Sequence, residues 1–129
     1  MDIVFDNIIF SLQKSGGISV YWSELISRII PNHNFEKYFI ETKSSHSNIF
    51  RNKLNLDNCK ILTEKERSIN RILPVNYSIE CRNHLFHSSY YRLPGKPKNC
   101  FQITTVHDFI PELIEKNLRT RLLSIQKYK

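Results

Sequence analysis

The sequence has little glycine, little proline and no long apolar run, and each shortage limits what the protein can be. Only 3 of its 129 residues are glycine and 5 are proline, whereas 40% are hydrophobic and 24% are charged. This composition excludes a low-complexity disordered chain and is typical of a globular domain. No stretch approaches the roughly 20 consecutive apolar residues of a membrane-spanning helix, and no signal-peptide pattern opens the chain. The sequence therefore predicts a cytoplasmic protein.

Cysteine is also scarce, and the three cysteines form no recognisable pattern. Cys59, Cys81 and Cys100 are odd in number and widely spaced. We therefore expect reduced thiols that are mostly packed, and we predict no metal site. The two common phosphate-binding motifs are missing as well, since the chain has neither Gly-x-Gly-x-x-Gly nor the Lys-Ser/Thr ending of a P-loop. No cofactor is predicted.

The first thirty residues contain a strand, a glycine turn and a helix, in that order. Residues 3–5, Ile-Val-Phe, suit a central strand, and from Ile18 the apolar positions follow helical spacing until Pro31 ends the helix. Gly16 and Gly17 lie between the two elements, where glycine permits positive φ and a ligand's close approach. Unpaired amides begin such a helix, so the turn predicts a phosphate site. The simpler interpretation is a tight turn that packs the helix onto the sheet.

Three separated segments resemble the signatures of one family, the family 4 glycosyltransferases, in the same order along the chain. They are 5–25, which includes Ser-Gly-Gly-Ile-Ser-Val-Tyr-Trp; 85–92, Leu-Phe-His-Ser-Ser-Tyr-Tyr-Arg; and 104–112, Thr-Thr-Val-His-Asp-Phe-Ile-Pro-Glu. Members of that family are retaining enzymes that use nucleotide sugars. With the stretches between the three segments, the resemblance spans nearly the whole sequence.

The resemblance implies that the chain is part of a larger enzyme. Family members have two Rossmann-like domains that face each other across a cleft, and residues 1–129 would form a single, incomplete amino-terminal domain. Relatives also carry two glutamates separated by seven residues in the second domain, and no such pair occurs here. We therefore expect little or no transferase activity from this chain alone. Lys129 falls within a helical pattern, which suggests a truncated gene or a shortened piece of a longer protein.

The rest of the sequence alternates between strand and helix patterns. This alternation predicts an α/β fold, in which a Rossmann-like parallel sheet carries helices on both faces. By resemblance, it would be most of the amino-terminal half of a B-type glycosyltransferase fold. The predicted strands are 35–41, 59–62, 85–88 and 100–106, and the predicted helices are 48–54, 75–82 and 111–128.

The carboxyl ends of parallel strands share one edge of a sheet, and ligands bind there. His107 and Asp108 follow the fifth predicted strand, so they should lie near the glycine turn. The resemblance implies that Gly16 and Gly17 bind the donor phosphate and that His107 contacts the donor sugar. Asp108 either orients His107 or begins the next helix. Relatives often have an arginine shortly after the glycines, whereas this chain has valine at that point.

A second group of candidate residues follows the fourth predicted strand. It combines aromatic rings with hydrogen-bonding groups, a mixture that suits sugar faces, hydroxyls and phosphates. We predict that this group contacts the acceptor, a glycan or a lipid-linked sugar, and that its arginine meets a phosphate. The alternative is that both tyrosines only pack the loop. The group consists of His87, Ser88, Tyr90, Tyr91 and Arg92.

The formal net charge is +7, and the excess lies in the middle of the chain. Residues 34–100 carry twelve basic and six acidic side chains. A basic surface attracts anionic membranes, phosphate-bearing acceptors or nucleic acid, although it can also be an ordinary solvated face. For the enzyme we expect no nucleic acid partner, and this charge is consistent with peripheral association with an anionic membrane, at the inner face of the plasma membrane. Two alternatives to the enzyme remain open. One is a basic module that binds nucleic acid or an anionic surface, and the other is a non-catalytic fragment that acts through a partner.

Overall fold

The protein is built on a sheet of five parallel strands. The computed structural model describes residues 1–80, 83–96 and 98–107. The order across the sheet is β3-β2-β1-β4-β5, and every neighbouring pair is parallel. This confirms the predicted α/β class and the Rossmann-like parallel sheet. The strands are β1 (Asp2–Asp6), β2 (Lys37–Glu41), β3 (Lys60–Thr63), β4 (His84–Ser88) and β5 (Cys100–Thr104).

Two helices cover the first face of the sheet. They are α1 (Ile9–Leu12), which the sequence pattern did not predict, and α2 (Gly17–Ile29), which begins one residue before the predicted start. The core on this face is aromatic. The rings of Phe5 and Phe39 stack with their centroids 5.2 Å apart, and the edge of the Trp22 ring meets Phe5 at 5.9 Å. Burial of these large rings fixes α2 against the centre of the sheet.

An extended segment, not a helix, covers the second face within the described residues. The predicted helix over 75–82 is wrong for residues 75–80, which contain no helical turn. Val75, Tyr77 and Ile79 all pack on the core of this face, beside Phe86. Their spacing of two is that of an extended chain, which turns alternate side chains toward the sheet. The Tyr77 ring accordingly stacks on Phe86 with its centroid 5.6 Å away.

The segment after β2 forms two 3₁₀ helices, Lys43–Ser47 and Arg51–Lys53, where we predicted one helix over 48–54. Asn48 separates them because its side-chain oxygen accepts hydrogen bonds from the amides of Phe50 and Arg51. Such local side-chain bonds compete with helical ones and favour a break. The predicted helix over 111–128 lies outside the described residues.

Candidate functional site

The candidate site lies where the order of the strands reverses, at the carboxyl ends of β1 and β4. Ser89 joins the two strands: its hydroxyl donates to the carbonyl oxygen of Asp6 at 2.8 Å and accepts a hydrogen bond from the amide of Ile9 at 3.0 Å. In open parallel sheets, connections leave in opposite directions at such a point, and ligands bind in the crevice between them. The three segments with candidate residues all end at this edge.

The glycine turn presents the uncapped start of α2. Gly16 has φ 164° and ψ 167°, so its backbone is extended and does not use the positive φ that glycine permits. No side chain caps the helix, and the Ser19 hydroxyl donates to the carbonyl oxygen of Gly16. A Cβ added to Gly17 would meet no atom within 4 Å, whereas one added to Gly16 would meet the Gln13 side chain, whose Nε2 donates to Ser19 at 3.1 Å. The first amides of α2 thus lie beside Gln13 and carry the partial positive charge of a helix start.

His107 contacts both the loop after β4 and helix α2. Its backbone amide donates to the Tyr91 hydroxyl at 3.3 Å, and its imidazole edge meets the Tyr21 ring of α2 with centroids 5.6 Å apart. Its Nε2 lies 3.2 Å from the carbonyl oxygen of Ser89. Because a carbonyl oxygen only accepts, Nε2 carries a proton in this hydrogen bond, and when the ring is neutral Nδ1 is the acceptor nitrogen. The ring is thus oriented by the backbone and half-buried.

Tyr90 and Tyr91 stand beside His107 in the loop after β4. Their rings meet edge to face with centroids 5.1 Å apart, and Tyr90 also packs on the first core. Both side chains are half-buried. The structure therefore brings Tyr90, Tyr91 and His107 together beside Tyr21, which lies four residues after Gly17 in α2. Asp108 lies outside the described residues.

His87 lies inside the protein instead. It is 7% exposed, its Nε2 is 2.9 Å from the Thr105 hydroxyl, and its ring meets the Trp22 ring at 4.8 Å. Burial, and secondarily the charge of His107, lowers the pKa of His87 to about 4. The residue is therefore neutral at neutral pH. Its predicted contact with the acceptor stays a prediction, and the contact that the structure shows ties β4 to the segment after β5.

Arg92 is also used within the protein. It is 3% exposed. Its guanidinium donates to Asp6 at 3.1 Å, to both oxygens of Glu64 at 2.9 and 2.7 Å, and to the carbonyl oxygen of Leu73 at 3.1 Å. Ser88 donates to the other oxygen of Asp6 at 2.8 Å. The predicted roles of Arg92 and Ser88 in acceptor binding stay predictions, and the structure shows that both side chains donate to partners within the protein.

Asp6 is the residue at this edge that the sequence pattern did not single out. Burial raises its pKa to about 6, although the Arg92 charge and the Ser88 hydrogen bond act in the opposite direction. Two carboxylates share the single guanidinium, which also favours a proton on one of them. The sequence signal that could have identified Asp6 is its position as a charged residue at the end of a central apolar strand.

A second buried network lies beside Asp6, on the β2 side. Glu41 Oε1 accepts hydrogen bonds from Asn7 at 2.7 Å and from Arg51 at 2.6 Å, and the Trp22 indole donates to Asn7 at 2.7 Å. The other oxygen, Glu41 Oε2, is buried and has no partner in the described part of the chain. This network joins β1, β2 and α2, so its visible role is to fix the elements that carry the glycine turn.

No family model, curated protein or solved structure matches this chain. The family resemblance therefore stays a prediction from the sequence. Among residues 1–80, 83–96 and 98–107, no group of three or more metal-ligating side chains occurs. Within the same ranges, no helix is both long and apolar enough to cross a bilayer. The described cysteines, Cys59 and Cys100, are free thiols and half-buried.

Proposed function

We propose that this chain is the amino-terminal, acceptor-side part of a retaining glycosyltransferase. The enzyme would move a sugar from a nucleotide-sugar donor to a glycan or lipid-linked acceptor during bacterial surface polysaccharide synthesis, in the cytoplasm. One observation carries the proposal: His107 contacts both Tyr21 of α2 and Tyr91. The contact sets an oriented imidazole beside the uncapped start of α2, at the edge where parallel sheets bind ligands.

These groups suit glycosyl transfer. The leaving diphosphate gains negative charge in the transition state, and preorganised amide donors stabilise such charge. The first amides of α2, at Gly17 and Ile18, have no side-chain cap and are donors of this kind. His107 Nδ1 accepts a hydrogen from a sugar hydroxyl, and the Tyr91 ring offers an apolar surface to a sugar face. Val20 follows the glycines, so in this proposal backbone amides alone supply positive potential at that point.

Two substitutions at Gly17 separate the backbone amide from everything else. Gly17→Pro removes the amide at the first position of α2, where proline suits the helix and the extended Gly16 tolerates a following proline. Gly17→Ala keeps the amide and adds a methyl group into open space. We expect Gly17→Pro to weaken donor binding about tenfold, because it removes one hydrogen bond to a charged group. Gly17→Ala should bind like the original chain.

Amide NMR titration with UDP-glucose, UDP-N-acetylglucosamine and GDP-mannose, each in turn, measures this difference. We expect shifts at residues 17–19 and at His107 with at least one donor. Shifts confined to the amino end of the sheet, or equal binding by the two variants, would contradict the proposal, as would no shift with any donor. A coupled assay of donor consumption by this chain should detect little or no turnover, and robust turnover would refute its assignment as a part of an enzyme.

A further inference from the structure

Exposed apolar side chains collect beside the carboxyl ends of β1 and β2. They belong to three short segments, 12–14, 43–49 and 66–72, which together we call the rim patch. Isolated apolar residues on a surface are ordinary, whereas a group within one patch marks an interaction site. The four side chains are Leu12 (40% exposed), Ile49 (51%), Ile69 (48%) and Ile72 (48%).

Hydrogen bonds and a shared cavity join the three segments. The amide of Ile49 donates to the carbonyl oxygen of Lys14 at 3.0 Å, which ties the second segment to the first. A cavity of about 250 Å³ is lined by Leu12, Ser44 and Arg67, one residue from each segment. A hydrogen bond between the amide of Ile72 and the carbonyl oxygen of Ile69 continues the third segment as a turn. These links make the three segments of the rim patch neighbours at this edge of the sheet.

The rim patch is also basic. Lys14, Lys43, Arg67 and Arg71 are exposed, against the single acidic residue Glu66. Within the described part of the chain, none of these four cations has a carboxylate partner. Among the described residues, the buried side chains of Arg51 and Arg92 are, in contrast, paired with carboxylates. The positive charge of the rim patch is thus available to a partner.

We propose that the rim patch docks on a bilayer that contains anionic phospholipid. Basic side chains gain from the negative potential of such a surface, and apolar side chains between them enter the headgroup region. A nucleic acid accounts for the cations but not for the apolar residues. The segments 12–14, 43–49 and 66–72 contain no phenylalanine, tyrosine or tryptophan on which bases could stack. This inference does not depend on the proposed sugar transfer.

Vesicle co-sedimentation of the full chain tests the proposal. We expect binding to vesicles with about one-third phosphatidylglycerol, weaker binding at high salt, and little binding to pure phosphatidylcholine. Lys43→Ala with Arg67→Ala should lower the partition coefficient about 25-fold, since each cation contributes about fivefold. Ile49→Ser should lower it several-fold at every salt concentration, because that residue acts through apolar contact.

The control pair is Lys96→Ala with Lys98→Ala. It removes the same charge from exposed positions just before β5 begins, at the amino end of the sheet. This pair should stay within about twofold of the original chain. Circular dichroism checks that each variant is folded. The proposal would be refuted if the two double variants lost vesicle binding equally, or if the original chain bound neutral and anionic vesicles equally. RNA binding that requires Lys43 and Arg67 while anionic vesicles remain unbound would also refute it.

Discussion

Residues at the same edge of the sheet fall into two sets that differ in burial and in their hydrogen-bond partners. Arg92, Ser88 and His87 are buried, and their polar groups are committed to partners inside the protein. Gly17, by contrast, is exposed and His107 is half-buried. Both sets come from segments that resemble the same family. The difference shows that residue type and edge position alone do not reveal which polar groups are buried and paired.

The buried set, which consists of Arg92, Ser88 and His87, depends on partners that are distant in sequence. Arg92 pairs with Asp6, 86 residues earlier, and with Glu64, 28 residues earlier. A guanidinium that holds two buried carboxylates has little capacity for a phosphate. Gly17 instead depends on local geometry at the start of α2, whereas His107 makes its contacts with Tyr21, Ser89 and Tyr91 from a half-buried position. Substitutions in the two sets should therefore differ in whether they damage stability or ligand binding.

The largest effect should come from Arg92→Met. It leaves Asp6 and Glu64 without their counter-charge, and removal of one partner from a buried ion pair costs about 3–5 kcal/mol. Urea denaturation measures the free energy of unfolding. The matched control is Arg28→Met, because Arg28 pairs with Glu24 at 3.8 Å on the exposed surface of α2 and should lose less than about 1 kcal/mol. If both variants lost the same free energy of unfolding, the buried contacts of Arg92 would be no more important for stability than an exposed ion pair, which would contradict the distinction between the two sets.

The pH dependence of stability gives a second, smaller effect. The pKa of His87 is lowered from 6.5 to about 4, so the folded state binds fewer protons than the unfolded state in that window. Its contribution to stability is lost as the pH falls from 6.5 toward 4. Asp6 has a pKa raised from 3.8 to about 6, so its contribution is lost as the pH rises from 4 toward 6. The two contributions oppose each other.

Replacing His87 with glutamine should therefore expose the Asp6 contribution. Stability of His87→Gln should fall between pH 4 and pH 6, by as much as about 3 kcal/mol, whereas the original chain should stay nearly level. Urea denaturation across this range measures both profiles. His33→Gln is the control, since His33 lies in an exposed turn and its replacement should leave the profile unchanged. A His87→Gln profile that rises or stays level would contradict the assignment of Asp6.

The smallest change in stability should come from His107→Ala. Its ring is half-buried and makes one side-chain hydrogen bond, to a carbonyl oxygen, so we expect a loss of about 1 kcal/mol or less. Binding should respond more strongly, because the donor would lose its contact with the imidazole. Amide NMR titration with the nucleotide sugar that binds the original chain measures this loss. Unchanged binding in a folded His107→Ala protein would count against the site.

Much of the fold was predictable because its signals are local. Residues 3–5 are apolar on both faces, as a central parallel strand requires, and the spacing from Ile18 to Pro31 is helical. Each predicted strand has a counterpart in the sheet. The helix over 75–82 failed because Val75 and Ile79, four residues apart, also fit a spacing of two once Tyr77 is counted. Only packing on Phe86 decides between the two interpretations.

The candidate site was less predictable because many of its contacts join residues that are far apart in sequence. A pattern indicates that Gly16, Tyr91 and His107 reach one edge, because parallel strands end there. It does not reveal that the Arg92 guanidinium pairs with Asp6 or that the Trp22 ring packs edge to face against His87. Those outcomes depend on residues far apart in sequence. The uncapped start of α2, in contrast, followed from the absence of a capping side chain at Gly16.

The central place of β1 has a consequence for synthesis of the protein. Asp6 at the end of β1 meets Ser88 at the end of β4, 82 residues later. At a translation rate of 5–20 residues per second, the nascent β1 waits about 4 to 16 s for that partner. Until then its Ile-Val-Phe segment has an unpaired edge, so we expect the growing chain to be a substrate for chaperones that bind short apolar strands.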